Sequence, residues 1–285
     1  MNNYVDDGKG KFNADGSSAL FLLALDKAPT DKWTAGLNYF KFTAPISDQN
    51  LPNGLSAPAL TLAGDGAVDV IYAGDLQGNM WRFDFNGSAP WKGASPKLLF
   101  VAMDANKNRQ AITQKANVVF APERGYLVLF GTGKFMEASD LQENGFKKQS
   151  FYGILDNAGE KIAGRHQLAA RRLTISSAGN DVLEISGDTF KYGSAGSGEK
   201  GWYFDFIDSD KTGERSISTA QMIDGRLFFN TLIPSNNPCK NSTGRSYVLD
   251  ALTGLSVTAN LTAYLSNMGL VLSLIHISEP TRPER

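Results

Sequence analysis

Two short polar segments carry oxygen-bearing side chains at alternating positions, a spacing that can direct several oxygens toward one hard cation. Asp104, Asn106 and Asn108 form the first segment, and residues 208–214, Asp-Ser-Asp-Lys-Thr-Gly-Glu, form the second. Calcium takes about six to eight oxygen ligands, so neither segment supplies a complete set by itself. Lys211 also places a positive charge inside the second segment. We therefore predict that both segments are turns or solvated loops rather than metal sites.

Groups that commonly carry out nucleophilic or redox catalysis are scarce in this chain. Cys239 is the single cysteine, so an adjacent cysteine pair cannot form. His166 lies in a polar stretch, and we expect it to be exposed rather than to act as a general base. Neither a Gly-x-Ser-x-Gly elbow nor a phosphate-binding glycine loop occurs in the sequence. These features predict a protein without catalytic activity.

The elements that would position these residues are short β-strands. Residues 68–85 show most clearly the pattern of two apolar runs joined by a polar turn. Val70–Ala73 is a continuous apolar run, as expected of a strand that is buried on both faces. Asp75–Asn79 supplies the Asp, Gly and Asn that favour a tight turn. Met80–Phe85 then returns to the aromatic-rich composition of a strand. This pair of strands is typical of the inner hairpin of a β-propeller blade.

A strand that ends in Asp and is soon followed by a glycine turn recurs along the chain. It occurs at Asp84, Asp156 and Asp250, and Asp26 is a weaker copy. A β-unit that cannot bury both faces alone must stack on its neighbours, so the repetition predicts units arranged around one axis. The copies are irregularly spaced, which indicates insertions, and residues 201–206 are a candidate for one further blade. The predicted fold is all-β, with a β-sandwich as the alternative to a propeller.

The composition is that of a globular strand-and-turn protein. The 285 residues carry a formal net charge of −1 and 20% are charged, so no electrostatic attraction to nucleic acid or anionic lipid is expected. This length can hold one large β domain or two smaller ones. No apolar run has transmembrane length, and the first residues lack the pattern of a signal peptide. We therefore expect no membrane-spanning segment.

The last residues of the chain have no relation to the repeated strands. Leu272–Arg282 matches the conceptual translation of a transposase sequencing adapter, so we expect the tail to be library sequence fused to an interrupted gene. The predicted organisation is an incomplete β-propeller domain over residues 1–271 and a non-native tail over residues 272–285. We therefore expect native sequence, an export signal included, to be missing from this fragment.

Several motifs occur in the order found in one known protein family. Tyr72–Phe85 resembles the pattern Tyr-Ala-Gly-Asp-Leu-x-Gly-Asn-x-Trp-Arg-Phe-Asp-Leu, and Asn108–Thr113 resembles Asn-Arg-Gln-Pro-Ile-Thr. Gly125–Phe135 is similar to Gly-Tyr-x-Val-x-Phe-Gly-Thr-Gly-Lys-Tyr/Phe. Further similar segments are Gln149–Ile154, Gly201–Asp205, Thr231–Cys239 and Leu249–Gly254. Together these motifs resemble the PilC/PilY family, the tip-associated adhesins and assembly proteins of type IV pili.

The resemblance implies a fold, a function and a location. The chain would contain the later blades of a modified, quinoprotein-like seven-bladed β-propeller. Its role would be non-enzymatic: supporting pilus assembly against retraction, and contributing to surface attachment and cell adhesion. The expected partners are pilin and other pilus proteins, with the surface or host receptor left open and nucleic acid excluded. The expected location is outside the cytoplasm, in the fimbrium, at the outer membrane or on the cell surface.

Members of this family with a functional calcium site carry an EF-hand-like loop directly before the signature hairpin. Counting back from the hairpin places the ligand positions at Thr61, Ala63, Asp65, the Ala67 carbonyl and Asp69. Thr61 offers a neutral oxygen and Ala63 offers none from its side chain, so two carboxylates of the family pattern are missing. Fewer carboxylates weaken the attraction for a divalent ion. We predict a degenerate calcium loop whose affinity is weak or lost, and no organic cofactor.

Two other functions remain open at this point. A quinoprotein-like dehydrogenase is the enzymatic alternative because its blades carry similar Gly, Asp and Trp patterns. Such enzymes use an adjacent cysteine pair, however, which this chain cannot supply. A generic extracellular binding propeller is the third hypothesis. The unpaired Cys239 is compatible with a disulfide partner outside this chain or with a buried thiol.

Overall fold

The computed structural model describes residues 18–48, 51, 53–91, 94–122, 124–177, 182–193, 199–237, 239, 241–257 and the backbone of 263–266. The strands are β1 (Ala19–Leu23), β2 (Tyr39–Thr43), β3 (Ala59–Leu62), β4 (Val68–Gly74), β5 (Asn79–Asp84), β6 (Lys97–Val101), β7 (Asn117–Phe120), β8 (Tyr126–Gly131), β9 (Ser150–Asp156), β10 (Ala169–Ala170), β11 (Arg172–Ile175), β12 (Val182–Ser186), β13 (Gly201–Asp205), β14 (Gln221–Ile223), β15 (Arg226–Asn230), β16 (Gly244–Asp250) and β17 (Ala263–Ser266). The helical elements are α1 (Ser209–Thr212) and 3₁₀ turns at Ala138–Leu141, Glu143–Gly145 and Arg165–Gln167. Within the described residues, no helix has the length and apolar character needed to cross a membrane. The predicted all-β class is confirmed.

Three sheets share one plan, in which four strands pair antiparallel with their neighbours in chain order. Blade 1 contains β3, β4, β5 and β6; blade 2 contains β7, β8, β9 and β13; blade 3 contains β14, β15, β16 and β17. β1 and β2 form a hairpin before blade 1. β10 pairs parallel with β13, and β11 and β12 extend blade 3 beyond β17. A repeated four-stranded antiparallel sheet is the plan of a propeller blade.

Blade 2 buries both of its faces against neighbouring blades. Along β8, Val128 and Phe130 pack in one cluster with Tyr72 of blade 1. Leu127 and Leu129 pack in a second cluster, together with residues of blade 3. Successive side chains of a strand point to opposite faces, so one strand contributes to two cores. A third cluster joins the β1–β2 hairpin to blade 1. This double burial explains why the central strands are continuous apolar runs.

The first strands of blades 1 and 2 meet, since β3 contacts β7. At the far edges of the sheets, β11 contacts β13. Sheets that face each other across a core and approach along their first strands are arranged like propeller blades around an axis. A β-sandwich would place two sheets around one core, whereas blade 2 lies between two cores. The sandwich alternative is therefore excluded for the described part of the chain.

Because neighbouring strands alternate in direction, every second connection lies at the same end of the sheets. We call face I the end with the connections β4–β5, β6–β7, β8–β9 and β13–β14, and face II the opposite end. Backbone hydrogen bonds join the face I connections across blades. Ile112 N donates to Asp75 O at 2.9 Å. Ser216 N donates to Thr132 O at 2.9 Å. Face I is therefore one continuous surface across the described blades.

The assignment of residues 201–206 to a further blade is wrong. β13 pairs antiparallel with β9 and is the fourth strand of blade 2. The long segment between β9 and β13 is an insertion within one blade. The prediction relied on the spacing between strands along the chain, and this insertion makes that spacing irregular. Asp84, Asp156 and Asp250 do share one position, because each ends the third strand of its blade. Asp26 lies in an exposed turn after β1 and does not belong to this set.

Gly153 in β9 provides a test of the close packing within blade 2. A Cβ atom there would lie 2.6 Å from Cε2 of Trp202, so Gly153→Ala should force the sheet or the indole to move. We expect a loss of about 1–3 kcal/mol in the free energy of unfolding, measured by urea denaturation. Gly64→Ala is the matched control because a Cβ there meets no atom within 4 Å. Equal losses in the two variants would contradict this packing.

Candidate functional site

The predicted calcium loop lies on face II, where it forms the turn between β3 and β4. Thr61 belongs to β3 and Asp69 to β4, while residues 63–67 form the turn itself. The Thr61 hydroxyl accepts a hydrogen bond from Val70 N at 3.1 Å, across the register shift between the two strands. The structure therefore brings the predicted residues together in one hairpin.

The oxygen atoms of this loop already take part in the hydrogen bonds of the hairpin. The Ala67 carbonyl accepts from Ala63 N at 2.8 Å. Asp65 Oδ1 accepts from Ala67 N at 3.0 Å, and the Asp65 side chain is otherwise exposed. Asp69 Oδ2 accepts from the Tyr126 hydroxyl at 3.2 Å, and Asp69 is half-buried. These bonds shape a turn rather than direct oxygens toward one centre.

The residues of this loop do not fit a calcium ion in this geometry. They offer two carboxylates, Asp65 and Asp69, and the second is bound to a tyrosine. Calcium needs about six to eight oxygens that converge on it. Among the described residues, no group of three or more His, Cys, Asp or Glu side chains is placed to hold a metal ion. Calcium binding at these positions stays a prediction that a titration can test.

The first of the two other polar segments forms a turn, as predicted, whereas the second contains the short helix α1 where a solvated loop was expected. Asn108 N donates to Asp104 Oδ1 at 2.8 Å, and Asn108 Nδ2 donates to Asp104 Oδ2 at 2.8 Å, which closes the first segment. In the second segment, Asp208 precedes α1 and pairs with Lys211 at 3.3 Å on the exposed surface. Glu214 ends this segment and is, by contrast, fully buried.

Glu214 is a buried polar centre that the sequence analysis missed. Its Oε1 accepts from the hydroxyls of Thr231 and Tyr247, both at 2.8 Å. Its Oε2 pairs with Arg245. Burial raises the pKa of Glu214, while Arg245 and the two hydroxyls favour the charged form. These contacts tie the segment that enters blade 3 to the β15–β16 connection.

Asp75 is buried at the β4–β5 turn on face I and accepts four hydrogen bonds. Its Oδ1 accepts from the backbone N–H groups of Gln77 and Asn79 at 2.9 and 2.8 Å. Its Oδ2 accepts from Asn79 Nδ2 and Trp81 Nε1, both at 2.8 Å. Burial raises the pKa of Asp75, and these donors oppose that shift. The Asp, Asn and Trp of the hairpin motif therefore hold the turn together.

Asp156 forms a polar contact between blade 2 and blade 1. Its Oδ2 accepts from the Tyr72 hydroxyl and from Arg82 Nε, the latter at 2.7 Å. Its Oδ1 accepts from Gly159 N at 2.6 Å. Arg82 also pairs with Asp84 of its own blade at 2.8 Å. Burial raises the pKa of Tyr72, so this hydroxyl keeps its proton and donates a hydrogen bond to the carboxylate.

The two carboxylates bound to Arg82 should differ strongly in their effect on stability. The Asp156 side chain is 1% exposed, so Asp156→Ala would leave the buried Tyr72 hydroxyl and Arg82 Nε without their acceptor, and Arg82 would keep its ion pair with Asp84. We expect a loss of about 3–5 kcal/mol in the free energy of unfolding, measured by chemical denaturation. The Asp84 side chain is 26% exposed, and Asp84→Ala should cost less than about 1 kcal/mol. A larger effect of Asp84→Ala would refute this assignment.

The structure also places the two residues considered for catalysis or disulfide pairing. His166 is exposed in the 3₁₀ turn Arg165–Gln167, as predicted. Cys239 is exposed and has no disulfide partner among the described residues. The alternative of a buried thiol is therefore wrong for Cys239, and a partner outside this chain stays a hypothesis.

Four-stranded antiparallel sheets that stack face to face and meet along their first strands define a β-propeller. Residues 41–195 match the family model of the PilY1 beta-propeller domain. This match spans more than half of the chain, which therefore belongs to the PilY1 beta-propeller family.

The curated relatives are type IV pilus biogenesis factors. The "Type IV pilus biogenesis factor PilY1 homolog" of Xylella fastidiosa is 36% identical over an alignment of 217 residues, with coverage of 71% of this chain and 14% of that protein. The "Type IV pilus biogenesis factor PilY1" of Pseudomonas aeruginosa is 31% identical over an alignment of 245 residues, with coverage of 72% of this chain and 21% of that protein. The chain therefore spans less than a quarter of the length of these two relatives.

A solved structure supports the same assignment. The crystal structure of the Pseudomonas aeruginosa PilY1 C-terminal domain matches with a TM-score of 0.62 and 27% identity, covering 79% of this chain and 57% of that one. The propeller fold and the PilC/PilY resemblance are confirmed. The total of seven blades stays a prediction, since the described residues form three blades and one hairpin. The boundary at Val271 also stays a prediction, because residues 272–285 lie outside the described residues.

Proposed function

We propose that this chain is the non-enzymatic β-propeller part of a type IV pilus biogenesis factor, where it supports pilus assembly against retraction and contributes to surface attachment. The observation that carries this proposal is the family match over residues 41–195, together with relatives named as type IV pilus biogenesis factors. The chain then acts outside the cytoplasm, in the fimbrium, at the outer membrane or on the cell surface. Its partners are pilin and other pilus proteins.

The use of the buried polar groups supports a scaffold or binding role. Asp75, Asp156 and Glu214 are buried carboxylates, and each accepts hydrogen bonds from donors of its own or a neighbouring blade. A general acid or base must reach the substrate proton, and these groups are enclosed in the protein. The quinoprotein alternative needs an adjacent cysteine pair, which a chain with one cysteine lacks.

A chimera tests the pilus role. Residues 41–257 would replace the matching region of the Pseudomonas aeruginosa PilY1 protein in a strain that lacks the native gene. We expect surface pili and twitching motility to be restored, whereas the same chimera with Asp156→Ala should lose stability and function together. A chimera that is exported and stable, yet leaves the cells without surface pili, would count against the proposal.

A second strain separates support of assembly from resistance to retraction. In cells that cannot retract pili, loss of the propeller should remove far fewer surface pili than it does in cells that retract normally. Pili are counted by shearing and immunoblotting in both backgrounds, with the intact chimera as the control. An equal loss in both strains would show that the propeller acts on assembly alone and would refute the retraction part of the proposal.

For calcium, we infer that residues 61–69 form a structural turn whose affinity for the ion is weak or lost. A ligand that binds only the folded protein raises its melting temperature, so unchanged melting in millimolar calcium is expected. Asp69→Ala should lower the melting temperature equally with calcium, with magnesium and without metal, because Tyr126 loses its acceptor. A calcium-specific rise that disappears in Asp69→Ala would establish a functional metal site.

The enzymatic alternative has its own direct test. The purified chain would be incubated with pyrroloquinoline quinone and assayed for dye-linked oxidation of alcohols and sugars. We expect no turnover above that of the heat-denatured chain, whereas substrate-dependent dye reduction would support a quinoprotein-like dehydrogenase.

A further inference from the structure

A pocket of about 320 Å³ opens on face I, where the connections of blades 1 and 2 meet the segment that enters blade 3. It is lined by residues of the β4–β5, β6–β7, β8–β9 and β13–β14 connections, and by Leu51. These connections are joined by backbone hydrogen bonds such as Ile112 N to Asp75 O and Ser216 N to Thr132 O. The pocket is therefore built by several blades together.

The charged side chains that line this pocket are mostly cationic. Four of them, Arg109, Lys134, Lys147 and Arg215, carry a positive charge, and Asp140 is the one carboxylate among the described lining residues. The apolar part of the wall is formed by Leu51, Leu76, Ala111 and Phe146. The chain as a whole has a net charge of −1, so this excess of positive charge is local.

Arg215 is the most enclosed of these cations. Arg215 is 7% exposed, and its guanidinium lies over the Phe146 ring, 5.1 Å from the ring centroid. Its Nε donates to the Gly213 carbonyl at 2.8 Å, and its Nη1 donates to the Lys134 carbonyl at 2.6 Å. Burial lowers the pKa of Arg215, and Asp140 acts against this shift from a distance. Among the described residues, Arg215 therefore donates to neutral carbonyls and forms no ion pair, while Asp140 in the same pocket opposes the effect of burial.

The other cations differ in whether their charge is already neutralised. Lys134 pairs with Glu137 at 2.8 Å and with Asp140 at 3.3 Å. Arg109 donates to the Gln77 carbonyl at 2.8 Å and to Asn79 Oδ1 at 3.0 Å, both neutral acceptors. Lys147 is exposed. Within the described part of the chain, Arg109, Lys147 and Arg215 form no ion pair with a carboxylate, so three positive charges face the pocket without a direct counter-ion.

We propose that this pocket binds a carboxylate side chain presented by an acidic segment of a partner protein. Guanidinium groups match the planar, two-oxygen geometry of a carboxylate, and Lys147 can add a further charge-assisted hydrogen bond from the rim. The apolar wall suits the methylene stem of an aspartate or glutamate, which a free inorganic anion lacks. This assignment does not depend on the proposed pilus role, because binding is measured on the purified chain.

The first experiment compares ligands. The full chain would be titrated calorimetrically with N-acetyl-Glu-Glu-amide, with the neutral N-acetyl-Gln-Gln-amide and with inorganic phosphate. We expect heat from the Glu peptide alone, and weaker binding as ionic strength rises, because exposed charges are screened by salt. Absence of binding by the Glu peptide overturns the proposal. Phosphate binding of equal strength also overturns it, since the pocket would then be a general anion site.

Two adjacent lysines provide a matched pair of variants. Lys147 lines the pocket, whereas Lys148 pairs with Asp210 at 2.7 Å outside it. Lys147→Gln should weaken binding of the Glu peptide about twofold to fivefold, as expected for an exposed charge pair, while Lys148→Gln leaves it unchanged. Unchanged melting temperatures show that both variants fold. An equal effect of the two substitutions overturns the assignment to this pocket.

A gain of affinity gives the most specific test. Asp140→Asn removes the one carboxylate among the described lining residues and releases Lys134 from one of its two ion pairs. Asparagine can still accept hydrogen bonds at this position, where Asp140 Oδ2 accepts from Met136 N and Glu137 N. We expect the Glu peptide to bind about twofold to fivefold more tightly. Weaker binding by Asp140→Asn would overturn the electrostatic basis of the proposal.

Discussion

The fold depends on the requirement that every sheet buries both of its faces. In β8, Val128 and Phe130 contribute to the core shared with blade 1, and Leu127 and Leu129 contribute to the core shared with blade 3. Burial of apolar surface stabilises by about 25 cal/mol per Å², so a blade separated from one neighbour loses a large share of its stabilisation. The blades are therefore stable as a stack, in the same way that repeat proteins depend on interfaces between neighbouring units. By contrast, the apolar side chain of Phe21 in the β1–β2 hairpin does not lie in such an interface and is exposed.

Within that apolar stack, buried carboxylates fix how the blades and turns are placed. Asp75, Asp156 and Glu214 each lose hydration, and each regains hydrogen bonds from several fixed donors. Replacing such a network by apolar residues of equal shape is often neutral or stabilising, so its contribution is better described as positioning than as net stability. Asp156 illustrates this role, since it binds Tyr72 and Arg82 of the neighbouring blade and thereby sets the lateral position of one sheet against the other.

The local patterns of the sequence were sufficient for the strands and turns but not for distant pairings. The β4–β5 hairpin could be predicted because its apolar run, its turn residues and its Trp lie within one short segment. β13 was assigned to a separate blade because a long insertion separates it from β9, and spacing alone carries no information on which edge a strand joins. Glu214 was missed because its partner Arg245 is 31 residues away. The calcium positions were predicted from their alternation in sequence. That alternation does not show that Val70 N of β4 donates a hydrogen bond to the Thr61 hydroxyl of β3 and so engages this oxygen within the hairpin.

The same requirement for double burial explains where specific binding can occur in this fold. Side chains in the central strands are committed to one core or the other, so they cannot face a partner without removing stabilising contacts. The exposed residues of the face I connections are free of that constraint, and a rigid scaffold with variable loops is a common arrangement for binding sites. Arg109 and Lys147 lie on such connections, and they approach Arg215 only because the blades stack in register. An acidic partner bound there would contact residues from three parts of the propeller at once, so its binding would depend on the assembled stack of blades rather than on any single blade.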